Sequence, residues 1–155
     1  MKKLALTVRT SIERALVRFD LPGDESSVRL LLMIAAHESG GFTYCKQVRG
    51  PAIGLFQMEP ATFDFIIGYL KRTGKYERIN RAMIFERMLI DTEFAAAMAR
   101  VYLLTIPEPL PDANDFDALA RYAKKYWNTN AGKATPEKYL NDYLKYVWSD
   151  QHVNN

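Results

Sequence analysis

Cysteine is nearly missing from this chain: its 155 residues contain one, Cys45. An internal disulfide is excluded, and with it the small stapled scaffolds of secreted proteins. Histidine is almost as scarce. His37 and His152 stand alone, and with one cysteine they give no spacing that would hold zinc. Neither a metal nor any other cofactor is expected. No apolar run approaches the ~20 residues of a membrane span, so stable membrane insertion is not expected. The opening MKKLALTVRTSIERALVRF starts with two lysines, as an export signal does. Arg9, Glu13, Arg14 and Arg18 then fall where its apolar stretch should lie. It reads as an amphipathic helix of the mature fold, not as a signal peptide. Glycine-rich phosphate loops, a G-x-S-x-G elbow and recognition-helix or paired-cysteine signatures are all missing, so nucleic acid is not expected as a partner. Repeats, low-complexity tracts and clear linkers are missing too. One domain over residues 1–155 is expected.

What is present fits a soluble globular domain. Hydrophobic residues make up 48% and charged residues 25%, enough of each for a real core under a polar surface. Twenty-one basic against 18 acidic residues leave +3, a mild bias toward a polyanion such as nucleic acid, acidic lipid or an anionic cell wall. Lys124, Lys125, Lys133, Lys138 and Lys145 cluster late in the chain, but acids and aromatics separate them, so they read as a solvated face.

Hydrophobic spacing predicts a mostly helical fold. A first helix is expected over 4–19, with Leu4, Val8, Ile12, Ala15, Leu16 and Phe19 on one stripe. After the Pro22-Gly23-Asp24 turn a second should run from Ser26 to Ser39, stopped by Gly40 and Gly41. Residues 42–58 lack helical period and suggest short extended pieces with a small hairpin. Further helices are expected over 61–73, from about Asn80, over 92–105 behind an Asp91 cap, from Asp115 to Trp127, and from Pro136 to Trp148 behind Thr135.

The segment that raises a chemical question is LLLMIAAHESGG, in which seven apolar residues, Leu30 to Ala36, lead through His37 to an acid. Glu38 lies three residues past Ala35 and four past Ile34, so it shares their face. A carboxylate leaving water there keeps its proton to higher pH, as a general acid must. The plain alternative is a solvated side chain at a helix end. His37, beside it, reads as an ordinary polar contact. In GPAIGLFQMEP, Gly54 allows a close backbone approach, Leu55 and Phe56 pack, and Gln57 can offer its amide to a backbone or a sugar. Glu59, before Pro60, is a helix cap or a second acid. Late in the chain Tyr122, Tyr126, Trp127, Tyr139, Tyr143, Tyr146 and Trp148 crowd together. Their spacing is that of core packing with polar ends available for hydrogen bonds. Asn128, Thr129 and Asn130 beside Trp127 could hold a carbohydrate or simply make a turn.

Taken in order, HESGG, GPAIGLFQMEPATF and KKYWNT resemble the lysozyme-like lytic transglycosylase superfamily, which includes small phage endolysins. The first two motifs are specific. The third departs from the family's Y-N-x-G in having Trp127 for tyrosine and Asn130 for glycine, with Tyr126 and Gly132 nearby. The resemblance implies an α+β lysozyme-like fold: a helical domain whose small extended or β-hairpin part lines a cleft. It implies cleavage of peptidoglycan strands between N-acetylmuramic acid and N-acetylglucosamine, with Glu38 as catalytic acid and base. Ser39 would orient Glu38; Gly54, Leu55 and Gln57 would form the floor; Tyr126 and Asn128 would face the sugars. It further implies a monomer made in the cytoplasm of a bacterium or an infected one, acting on the periplasmic wall, with virion association as a variant. A hydrolytic muramidase would need a second acid, for which Glu59 and Asp64 are the candidates. A non-enzymatic helical binding protein, or a structural piece of a virion, is the remaining class.

Overall fold

A computed structural model describes residues 1–43, 45–47, 50–127 and 133–148, apart from the side chains of Arg81 and Ala82. Six α-helices account for most of it: α1 (Lys3–Arg18), α2 (Glu25–Glu38), α3 (Pro60–Thr73), α4 (Thr92–Leu104), α5 (Phe116–Tyr126) and α6 (Pro136–Tyr146). The mostly helical expectation holds. Asn128, Thr129, Asn130, Gly132, Tyr44, Val48 and His152 lie outside the described residues.

The helix starts follow from local chemistry. Asp24 accepts a hydrogen bond from the Ser27 amide at 2.9 Å, and the Ser27 hydroxyl accepts one from the Asp24 amide at 2.8 Å, closing a reciprocal cap on α2. Asp91, Asp115 and Thr135 cap α4, α5 and α6 in the same sense. Proline occupies the first turn of α3 and α6, where its missing N–H is not needed. Gly74, left-handed at φ 65°, ends α3.

The core is organised around α2. From Leu30 to Ala36 every residue has 0% exposure, because α1, α4, α5 and α6 all pack against this helix. That explains why the segment carries no amphipathic stripe: a helix enclosed on every side has no solvent face to mark. Its outer neighbours do have one. In α1 the inward set is Ala5, Val8, Ile12 and Ala15. Leu4, expected on that stripe, is instead 54% exposed, since it stands about a quarter-turn off the Ala5–Val8–Ile12 line.

Two other expectations need correction. The helix predicted from about Asn80 is two short 3-10 turns, Ile79–Ala82 and Phe85–Leu89, separated by an extended Ile84. Met83, Ile84, Phe85, Met88, Leu89 and Ile90 would spread around a helix instead of forming one stripe, and of these only Met88 is fully buried. The small hairpin is also reduced. Among the described residues there are no strands, only two isolated antiparallel bridges, Lys46 to Ile53 and Ile53 to Met58. Gly50, Pro51 and the left-handed Gly54 and Gln57 leave no stretch long enough for a ladder.

Gly41 fixes how the chain leaves α2. Its φ is 77°, and a Cβ there would overlap the Tyr146 ring of α6. Gly41→Ala therefore combines left-handed strain with overpacking. It should destabilise the fold by about 2–4 kcal/mol, read as a fall in denaturation midpoint with an unchanged slope.

Candidate active site

Glu38 is the last residue of α2, and it sits partly buried where the enclosed helix meets α6. Its Oε1 accepts a hydrogen bond from the Tyr139 hydroxyl at 2.7 Å. Tyr139 has 0% exposure, so the phenol is a rigid, water-shielded donor. Removal from water pushes the Glu38 carboxyl above its ordinary value; the Tyr139 hydrogen bond and the charged form of His37 pull the other way without overcoming it. The result is a carboxyl group that holds its proton to higher pH than an ordinary glutamate and still has a donor in place for the anion it becomes.

Ser39 plays a different part from the one expected. Its hydroxyl donates to the Ala35 carbonyl at 2.5 Å and accepts from the Phe42 amide at 2.7 Å. It shapes the turn after the helix; the grip on Glu38 belongs to Tyr139. The Gly41 amide adds a 2.8 Å bond to the Ala36 carbonyl, so the glycine pair wraps the chain back over the helix end.

Residues 53–58 form a closed turn. Ile53 and Met58 exchange backbone hydrogen bonds at 3.0 and 3.1 Å. Inside it the Gln57 Nε2 donates to the Gly54 carbonyl at 2.8 Å, the backbone use of the amide that the sequence allowed. Gly54 has φ 78°, and a Cβ on it would come within 3.1 Å of the Met88 carbonyl. That is the close approach its identity predicts. Leu55 is half-buried and Phe56 fully so. The Phe56 ring meets Trp127 edge-on at 6.4 Å, and Trp127 meets Tyr102 at 5.5 Å. Two of the three sequence motifs, the glycine-leucine turn and the tryptophan at the end of α5, are thus in contact.

The remaining candidates divide. Tyr126 gives its hydroxyl to Glu108 in the proline-rich loop, with Lys125 on the same carboxylate at 3.1 Å. The Tyr126 carbonyl accepts from Tyr102 at 3.0 Å. No hydrogen bond joins Glu38 to Gln57 or Tyr126 among the described residues. Asn128 lies outside them. Glu59 stands at the N-cap of α3, as the cap reading places it, but its side chain makes no capping hydrogen bond, and both it and Asp64 are exposed. No group of three metal-ligating side chains occurs among the described residues, and no helix there is long and apolar enough to cross a membrane.

Tyr139 is the functional candidate that the motifs did not single out. Its signal was present as a tyrosine at core spacing, which must find a partner for its buried hydroxyl. What the sequence could not supply was that the partner lies 101 residues earlier.

No protein-family model, no characterised protein and no solved structure matches this chain. The chemistry of the site therefore rests on its own geometry and on the motifs.

The raised Glu38 carboxyl has a consequence for stability. The folded state binds this proton more tightly than the unfolded chain does, so ionised Glu38 opposes folding. The penalty is absent below the unfolded value of 4.5, grows as pH rises toward the folded value and is complete above it. Glu38→Gln should therefore melt higher than the parent protein at pH 8, with the gain vanishing at pH 4. Melting curves across that range test this; a lower melting point for the glutamine form at pH 8 would contradict the desolvation argument.

Proposed function

We propose that the protein is a peptidoglycan lytic transglycosylase that cleaves the β-1,4 bond between N-acetylmuramic acid and N-acetylglucosamine, with Glu38 as its acid and then its base. The observation that carries this reading is the partly desolvated carboxyl at the end of an enclosed helix, held by a buried phenol, within the HESGG motif. The lysozyme-like fold, a cleft beside Glu38, glycan strands as partner, monomeric action and a site of action on the periplasmic wall belong to the same proposal.

The steps follow from what one carboxyl group can do. Protonated Glu38 gives its proton to the bridging oxygen as the C1–O bond breaks, and the N-acetylglucosamine unit leaves with a free 4-hydroxyl. Positive charge develops at C1 of the muramic acid unit. The carbonyl oxygen of that sugar's own acetamido group closes on C1 and shares the charge. The Glu38 carboxylate, stabilised by the Tyr139 hydroxyl, then takes the proton of the 6-hydroxyl. The 6-oxygen attacks C1, the acetamido group is released, and a 1,6-anhydro ring forms. No water is consumed, and Glu38 ends protonated as it began. Gly54, Leu55 and Gln57 serve as the floor beside the sugar. Tyr126, its hydroxyl taken by Glu108, offers its ring to the wall, with Asn128 two positions later in sequence.

A hydrolytic reading retains one specific support. Glu59 is exposed and not committed to capping α3, so a muramidase would recruit it to activate water or to cover the oxocarbenium face.

Digestion of purified sacculi separates these readings. The parent protein should clear them and release muropeptides one water lighter than hydrolysis gives. Glu38→Gln should lose at least ~100-fold of the rate while remaining folded. Products with ordinary reducing ends would establish the muramidase, and parental clearance by the glutamine form would end the Glu38 reading.

A further inference from the structure

The contact between α2 and α6 contains a second pair beside the one on Glu38. His37 Nδ1 lies 2.7 Å from Asp142 Oδ2, and the His37 ring lies 4.1 Å from the Tyr139 ring at a tilt of 39°. Asp142 follows Tyr139 by three residues, so the two share one face of α6. Consecutive residues at the end of α2, His37 and Glu38, are thereby held by residues one turn apart on α6.

We propose that His37 and Asp142 are a positioning pair for the acid: Asp142 fixes the imidazole, and the imidazole fixes the Tyr139 ring whose hydroxyl grips Glu38. The inference rests on the reading of Glu38 as the catalytic acid. Neither His37 nor Asp142 hydrogen-bonds Glu38; both act through Tyr139 and through charge. The phenol can swing only by rotating its ring, and the imidazole packed against one side of that ring opposes the rotation. A single turn of error at the hydroxyl would aim it away from Oε1.

Charge adds a second effect of definite sign. An imidazolium beside Glu38 favours the carboxylate, and laid against the phenol ring it also strengthens the hydroxyl as a donor. Both effects oppose the desolvation that keeps Glu38 protonated. The groups acting on the Glu38 carboxyl are Tyr139 and His37, and Asp142 is the acid facing His37. On the other helices packed against α2, three cations are engaged elsewhere. Arg9 of α1 is on Glu25, Arg100 of α4 on the Pro22 carbonyl, and Lys125 of α5 on Glu108. The pair therefore sets the balance between holding the proton and releasing it, which a lone acid-base must strike within one catalytic cycle.

Two variants, His37→Gln and Asp142→Asn, test the proposal in the full-length protein. Glu38 is followed by carboxyl-carbon NMR titration and, in parallel, by the pH dependence of sacculus clearance. Both variants should lower kcat by about 10–100-fold with KM within about twofold. His37→Gln should move the Glu38 titration, and the alkaline limb of the rate profile, to higher pH, since a positive neighbour has been removed. Asp142→Glu should recover part of the kcat lost in Asp142→Asn. An unmoved Glu38 titration in His37→Gln overturns the proposal, whatever happens to the rate, because a purely structural histidine would behave that way. If His37→Gln does not fold, Asp142→Asn carries the same test, its released ring giving a shift in the same direction. Should the parent protein leave peptidoglycan intact, the proposed function fails. The NMR titration then still decides the pair: a shift upholds it and no shift overturns it.

Discussion

Complete enclosure of one helix is the constraint from which the rest of the structure follows. Leu30, Leu31, Leu32, Met33 and Ile34 are each 0% exposed. At about 1.5–3 kcal/mol for each large apolar side chain, their burial contributes on the order of 10 kcal/mol. Such a helix can admit water only at its ends. Its N-terminus is closed by the Asp24–Ser27 cap and by the Arg100 guanidinium on the Pro22 carbonyl at 2.8 Å. Its C-terminus is where a polar side chain can stand half in and half out of the core, and Glu38 stands there. Each tenfold rise in the proton affinity of that carboxyl opposes folding by about 1.4 kcal/mol once it is ionised. Measured against the burial of the helix behind it, a penalty of that order is sustainable. The same desolvation that weakens the fold gives the carboxyl its proposed chemistry.

Two features keep the helix end from drifting. Ser39 and the glycine pair turn the chain sharply, so that Gly41 lies under the Tyr146 ring. Asp142 and Tyr139, one and two turns earlier on the same helix, reach back to His37 and Glu38. α6 thus meets the end of α2 at three successive levels, and the meeting uses an aromatic contact, a charge pair and a phenolic hydrogen bond. Interactions of such different kinds are hard to satisfy in any other register. The 53–58 turn is held separately, by Met88 beneath Gly54 and by Trp127 against Phe56.

How much of this the sequence disclosed depends on whether the information was local. Asp91, Asp115 and Thr135 announced their helices because a cap is a relation between residues three apart. Gly54 announced a close approach because only a residue without Cβ fits one. Leu4 misled because a leucine at a helix start is compatible with either flank, and the packing of α2 and α4 on α1 decides which is covered. The region around Asn80 misled because composition favoured a helix while its apolar residues had no common face. Glu59 had the position of a cap without making the bond, which depends on a rotamer and not on sequence. Ser39 next to Glu38 suggested a hydrogen bond between neighbours, but the helix end already demands that hydroxyl for Ala35 and Phe42. The motif containing Glu38 was legible. Its partner Tyr139 and the His37–Asp142 pair were not, since each contact spans 101 or more residues.

The division of labour around Glu38 also bears on which reaction the site favours. A retaining hydrolase needs a second carboxylate about 5 Å from the acid, and an inverting one needs it at about 6.5–9.5 Å, ionised and facing the sugar. The acid tied most directly into the Glu38 network is Asp142, and its oxygen is occupied by His37 at 2.7 Å. A carboxylate committed to an imidazole is a poor nucleophile and a poor base for water, because using it would release the ring that steadies Tyr139. Glu59 and Asp64 are exposed on α3 and its approach, and among the described residues no hydrogen bond ties either to Glu38. With its neighbours assigned to holding and not to attacking, the proposed acid is left to rely on groups the substrate itself carries. A 2-acetamido sugar brings both of them, an internal oxygen nucleophile and a 6-hydroxyl able to close the ring. That match between what the described residues around Glu38 lack and what peptidoglycan would supply is the physical reason to prefer the anhydro-forming reaction in the proposal.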